Sequence, residues 1–293
     1  MFDTFQVVSQ DIDGVHINAI QGGSGPALLL LHGHPQTHAI WHRVAPALAR
    51  HFTVVAADLR GYGDSDKPAG LPDHSNYSKR VLAHDQVALM RTLGHDRFCV
   101  LAHDRGARVA ARMALDFPDA VHKLVTLDVA PTLAMYEQTS FDFARAYWHW
   151  FFLVRPAPFP ETLIEADPDL YLKQTMGARS AGLRPFAPEA YAHYLRCLGS
   201  PGAAHGLCED YRASITIDLE HDRADRHAGR LIACDMLALW GEEGVIGKCF
   251  DPIAEWQRVA TNVSGAALSC GHYIPEEAPD ELLAHVLPFL QNQ

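Results

Sequence analysis

Val100-Leu101-Ala102-His103-Asp104-Arg105-Gly106-Ala107-Arg108 is the stretch that decides the fold of this 293-residue chain. The apolar run 98–102 has the length and composition of a buried strand. A helical pattern opens at Gly106 and lasts until Pro118 stops it. A strand that turns sharply into a helix between two small residues, Ala102 and Gly106, lifts the apex side chain above the carboxyl end of a sheet. This is a nucleophile elbow with Asp104 at its tip. A carboxylate attacks to form an alkyl ester, which suits displacement at a saturated carbon better than peptide cleavage.

The segments on either side supply the rest of an α/β sheet. Residues 5–12 and 15–21 read as strands joined by an Asp13-Gly14 turn. Residues 27–31 form a buried strand ending in His32-Gly33-His34-Pro35, and residues 52–57 a second one. Strands at 123–127, 236–240 and 266–269 continue the alternation, and a helix over 279–290 closes the chain. The expected architecture is a mostly parallel, doubly wound sheet. Between residues 133 and 213 the strand pattern stops, and aromatics and prolines take over in Tyr147-Trp148-His149-Trp150-Phe151-Phe152 and Pro156-Ala157-Pro158-Phe159-Pro160. That stretch reads as a helical cap, with 1–132 and 214–293 forming the core. A cap over Asp104 excludes water from a reaction that displaces charge.

Arg105 and Arg108 fall in the first turn of the elbow helix, where the helix dipole disfavours cations by about 0.3 to 1 kcal/mol each. Their placement points to function: planar guanidiniums grip a carboxylate at two points and keep Asp104 ionised. The formal net charge of -11 repels an anionic substrate at long range, so capture has to be local. The same charge argues against nucleic acid and anionic membranes as partners. His272, in Ser269-Cys270-Gly271-His272 after the last strand, is placed to activate the water that hydrolyses an ester on Asp104. Asp128, at the end of its own strand, is the expected partner of His272, with Glu243 the alternative. The backbone N–H groups of His34 and Arg105 are candidates for an oxyanion hole.

Other features narrow the class. His32, His34, His38 and His42 do not read as a metal set, and no cofactor is expected. Six cysteines occur with no C-x-x-C pair, which reads as reduced thiols of a cytoplasmic protein. Apolar residues make up 48% of the chain, yet no run of them is long enough to span a bilayer. The opening Met1-Phe2-Asp3-Thr4 leads to no basic stretch followed by an apolar one, so a secretory signal is not expected.

Taken together, these residues resemble the haloacetate dehalogenases of the fluoroacetate type, within the α/β-hydrolase superfamily. The resemblance is carried by the Leu-His-Gly-x-Pro-Gln segment at 31–36, by residues 58–68, 103–113 and 147–153, by Cys208-Glu209-Asp210-Tyr211-Arg212-Ala213 and by Gly271-His272. It implies hydrolysis of fluoroacetate or chloroacetate to glycolate and halide. Asp104 would be the nucleophile, His272 the base and Asp128 its partner, with Arg105 and Arg108 holding the substrate carboxylate. By the same resemblance His149, Trp150 and Tyr211 donate hydrogen bonds to the departing halide. Fluoride is small and strongly hydrated, and these three side chains supply N–H and O–H donors in a dry site. Trp148, Phe151 and Phe152 are expected to be packing residues.

The resemblance also implies a homodimer, for which no interface is legible in the sequence. Position 34 departs from the family pattern, being His where Phe is usual, which bears on pocket polarity. An epoxide hydrolase, or another hydrolase with an aspartate nucleophile, is the alternative. Its pattern carries tryptophan where Arg105 stands, and Tyr211 alone matches its cap tyrosines only in part; a haloalkane dehalogenase also calls for that tryptophan, and its neutral substrate would leave the arginine pair idle. A non-catalytic binding protein of this fold is disfavoured by the intact Asp104 and His272.

Overall fold

The computed structural model describes residues 1–179 and 181–292. Its strands are β1 (Gln6–Val7), β2 (Gln10–Ile12), β3 (Val15–Ile17), β4 (Ala19–Gly22), β5 (Ala27–Leu31), β6 (Thr53–Ala57), β7 (Phe98–His103), β8 (Val121–Leu127), β9 (Asp235–Gly241) and β10 (Val263–Leu268). Eight of them form one sheet in the order β1-β4-β6-β5-β7-β8-β9-β10. The ladders β1–β4 and β4–β6 are antiparallel and the rest are parallel. β5 and β7 are buried along their whole length because helices cover both faces of the sheet. Successive residues of each strand divide between two cores: Leu29, Leu31, Val100 and Ala102 pack with helices Lys79–Thr92 and Arg105–Asp116. Leu28, Leu30 and Leu101 face the other way, with Trp41 and helix Pro279–Gln291.

The amino-terminal hairpin is more broken than its sequence implies. Asp13 and Gly14 turn with φ of 51° and 78°, the left-handed pair of a two-residue hairpin. The two flanking strands nevertheless split, into β1 with β2 and β3 with β4. Asn18 explains the break, since its N–H donates to Ser65 Oγ at 2.9 Å and its Nδ2 to Asp58 Oδ2 at 2.9 Å. Those bonds take the chain off the β2–β3 ladder, so β1 and β4 join the main sheet while β2 and β3 pair only with each other.

Between β8 and β9 the described chain is helical, from Thr132–Glu137 to Ile217–Ala228. The cap boundary expected at residue 213 falls inside the continuous helix Ala203–Ile215. The helix after it belongs with the core, because Asp222 and Asp225 pair with Arg112 of the elbow helix. All six cysteines are unpaired.

Candidate active site

The elbow is built by close approach of backbones. Asp104 sits at φ 46°, ψ -112°, a strained conformation for a non-glycine residue. Gly106 makes it attainable: a Cβ there would lie 2.4 Å from the His32 carbonyl oxygen, so only glycine lets the helix begin against β5. Across the turn, the His34 N–H donates to Asp104 Oδ1 at 2.9 Å. The Arg105 N–H lies alongside, since a Cβ built on Gly33 would come 2.6 Å from Asp104 Oδ1 and 2.8 Å from Arg105 N. Burial alone would raise the Asp104 pKa. Nearby His272, then Arg108 and Arg105, outweigh that effect and hold its carboxyl well below the usual carboxylate range.

His272 and Asp128 meet, Nδ1 to Oδ2, at 2.6 Å. The Gly241 N–H donates to the other Asp128 oxygen at 3.0 Å, which fixes the carboxylate plane. Glu243, the alternative, is exposed to solvent. His103 braces the loop from below. Burial pushes it down to about 3, so it is neutral at neutral pH, and its Nε2 lies 2.9 Å from the His272 carbonyl oxygen.

The arginines hold a different posture from the one their type implies. Arg105 is fully buried, its Nε donates to Asp210 Oδ2 at 2.6 Å, and its Nη2 binds the Asp210 carbonyl and Ser214 Oγ. Arg108 gives Nη1 to Thr132 Oγ1 and the Ala130 carbonyl, and Nη2 to Met135 Sδ. Most donors of each planar fork therefore already have partners within the protein. What remains is Arg105 Nη1 and Arg108 Nε, both buried without a protein partner among the described residues. The two differ in charge balance. Arg105 is neutralised by Asp210, which lifts its pKa against burial. Arg108 has only neutral hydrogen-bond partners, and burial, aided by Arg105, lowers its pKa.

His149, Trp150 and Tyr211 are brought together over these arginines. The Arg105 guanidinium lies 4.0 Å from the centre of the Tyr211 ring, and that of Arg108 lies 4.7 Å from Trp150. Tyr211 and Trp150 meet at 6.2 Å, and His149 and Tyr211 at 6.0 Å. The Trp150 Nε1 and Tyr211 hydroxyl are buried without a protein partner among the described residues. Burial holds His149 neutral, well below its ordinary pKa. Of the residues expected to pack, Phe152 does so, Trp148 packs its ring against Phe152 and Tyr171 while keeping one side exposed, and Phe151 is exposed. Of the other amino-terminal histidines, His32 Nε2 accepts from the Leu59 N–H, His38 Nδ1 lies 2.9 Å from Asp58 Oδ1 and His42 Nδ1 faces the Ala39 carbonyl.

Several participants were not legible in the sequence. Asp210 binds Arg105, Lys79 and the Tyr62 hydroxyl, and so carries the elbow's charge balance. The Tyr147 hydroxyl stands 3.5 Å from His272 Nδ1, and the Arg179 guanidinium stacks on the Tyr147 ring at 4.2 Å. Arg108 also lines a cavity of about 380 Å³, together with Thr132, Asp218 and Trp256.

Comparison with known proteins places this geometry. Residues 26–181 match the family model of the alpha/beta hydrolase fold. The chain is 47% identical over its whole length to a fluoroacetate dehalogenase of Burkholderia sp., covering 96% of that protein. It is 36% identical to a soluble epoxide hydrolase of Corynebacterium sp. strain C12, over 95% of this chain and 94% of that one. A crystal structure of an alpha/beta hydrolase from Nostoc sp PCC 7120 superposes with a TM-score of 0.96 at 51% identity, covering 100% of both chains. The chain belongs to the alpha/beta hydrolase family.

Proposed function

We propose that this enzyme hydrolyses haloacetates to glycolate and halide. One observation carries the reading: around an ionised, buried Asp104, the donors Arg105 Nη1, Arg108 Nε, Trp150 Nε1 and Tyr211 O–H are all sealed from water without a protein partner. A site lined with unmatched donors is costly unless an anion satisfies them. A haloacetate brings two anionic ends, a carboxylate and a departing halide. The 47% identity to a fluoroacetate dehalogenase supports the same assignment. A neutral epoxide would leave the Arg108 charge uncompensated, although the free Tyr211 hydroxyl suits either substrate.

In this mechanism the substrate carboxylate binds between Arg108 and Arg105. Asp104 Oδ1 is already held by the His34 N–H, so Oδ2 attacks the carbon that bears the halogen. The carbon–halogen bond breaks and the halide departs toward Trp150, Tyr211 and His149. The ester carbonyl oxygen is then Oδ1, already held by the His34 N–H, with the Arg105 N–H as the second oxyanion donor in this reading. His272 takes a proton from water, which attacks the ester carbonyl carbon, and Asp128 stabilises the imidazolium that forms. The C–O bond to glycolate breaks last, His272 returns its proton to the departing hydroxyl oxygen, and the Asp104 carboxylate is restored. No step calls for a metal or cofactor.

The direct test is halide release from fluoroacetate and chloroacetate, followed with ion-selective electrodes. Release from neither would defeat the assignment. Trp150→Phe keeps the ring over Arg108 and removes one donor. It should cost about tenfold or more on fluoroacetate and distinctly less on chloroacetate, because fluoride leaves with more localised charge. Equal losses on both would take Trp150 out of the halide site.

The substrate is a small molecule, and no described helix is long and apolar enough to cross a membrane. The unpaired cysteines fit a reducing compartment such as the cytoplasm. A homodimer is supported by the cap, whose helices expose Phe159, Leu163 and Leu170, each more than half accessible. Sedimentation should give a dimer that Leu163→Glu dissociates; a monomeric parent would end this proposal.

A further inference from the structure

The mechanism above uses His34 only through its backbone N–H, yet its side chain is placed like a functional one. The ring is 3% exposed. It stacks on His149 with centroids 5.1 Å and planes 8° apart, and meets Tyr211 edge-on at 5.3 Å. Its Nε2 lies 3.1 Å from the Tyr171 hydroxyl, whereas its Nδ1 is sealed from solvent with no protein partner among the described residues. Burial pushes the imidazole down to about 3, so at neutral pH it carries a single N–H. A buried polar atom left unmatched costs stability. A phenyl ring of similar shape would avoid that cost, so the imidazole is retained at some expense of stability.

The position of the proton follows from Tyr171. That phenol stays protonated, since burial raises its pKa well above the ordinary value. If its O–H donates to Nε2, the imidazole proton resides on Nδ1, which becomes a neutral donor among the residues assigned to the halide. The opposite tautomer would present a lone pair to a departing anion and repel it.

We propose that His34 is a specificity-determining residue whose Nδ1–H is a further donor to the leaving halide, with Tyr171 fixing the tautomer. This rests on the haloacetate reading above. The added donor favours the halide with the most concentrated charge, so His34 biases the enzyme toward fluoroacetate over chloroacetate.

Two measurements test it. Histidine side-chain 15N NMR on the resting enzyme should find the His34 proton on Nδ1, with mixed tautomers in Tyr171→Phe. A proton on Nε2 in the parent overturns the proposal whether or not any substrate turns over. In kinetics, His34→Phe should lower the fluoroacetate-to-chloroacetate ratio of kcat/KM by about tenfold, as expected for the loss of one hydrogen-bond donor. His34→Asn, whose amide N–H can reach toward the same point, should recover part of that ratio. An unchanged ratio in His34→Phe, with halide still released by the parent, sinks this inference alone; no release by the parent sinks the underlying function as well.

Discussion

His272→Asn should leave the first half of the reaction intact and stop the second. The attack by Asp104 needs no base, because its carboxylate is already ionised beside Arg105 and Arg108. Hydrolysis does need one, and Asn cannot accept a proton from water. Mixing the variant with chloroacetate should release one equivalent of halide and then stall. The peptide containing His103 to Arg108 should gain the mass of a carboxymethyl group. In parent enzyme, a single turnover in oxygen-18 water should label Asp104 while the first glycolate carries an unlabelled hydroxyl. Label in that first glycolate with none on Asp104 would mean direct attack by water, and the covalent mechanism would fall. Steady turnover falls by about 10⁴-fold or more, the scale seen when a member of such a catalytic set is removed.

Asp210→Asn is expected to be the most damaging change away from the reacting atoms. It keeps size and shape but removes the charge that balances Arg105 and Lys79, both buried. Breaking a buried pair by neutralising one partner costs about 3–5 kcal/mol. A large fall in melting temperature should therefore accompany the loss of activity. The sign of the pH dependence follows from the same group. Burial opposes ionisation of Asp210, but Arg105 and Lys79 overcome it and hold its folded pKa below the ordinary 3.8. Its contribution is thus full above that value and disappears as pH falls through the folded pKa. Parent stability should drop steeply at acid pH, and Asp210→Asn should show a shallower acid limb. Parallel acid limbs in the two proteins would place the charge balance elsewhere.

What could be read from the sequence and what could not divide along sequence separation. Asp104, Asp128 and His272 each lie where a strand ends and a loop begins, so a local apolar run points to each one, and the parallel sheet brings the three loops to one edge. The amino-terminal strands misled because Asn18 breaks them through bonds to Asp58 and Ser65, dozens of residues away. Arg105 posed the same difficulty in the site itself. Its type and position mark it as an anion binder, but the residues that occupy its fork, Asp210 and Ser214, lie more than a hundred positions later on a helix of the inserted segment. Nothing in the local pattern of Cys208-Glu209-Asp210-Tyr211 distinguishes a carboxylate that faces solvent from one that faces a buried guanidinium. Tyr147 and Arg179 escaped notice likewise, since an aromatic and a cation in a cap carry no periodic signature.

Asp210 also bears on how the molecule opens. Helix Ala203–Ile215 is riveted to the core by charge, through Arg105 of the elbow helix and Lys79 at the start of its neighbour. Swinging that helix away would separate a buried ion pair, and at about 3 kcal/mol or more fewer than about one molecule in a hundred would be found in that state. The charge that balances Arg105 is thereby also a mechanical tie, holding the inserted helix against the elbow.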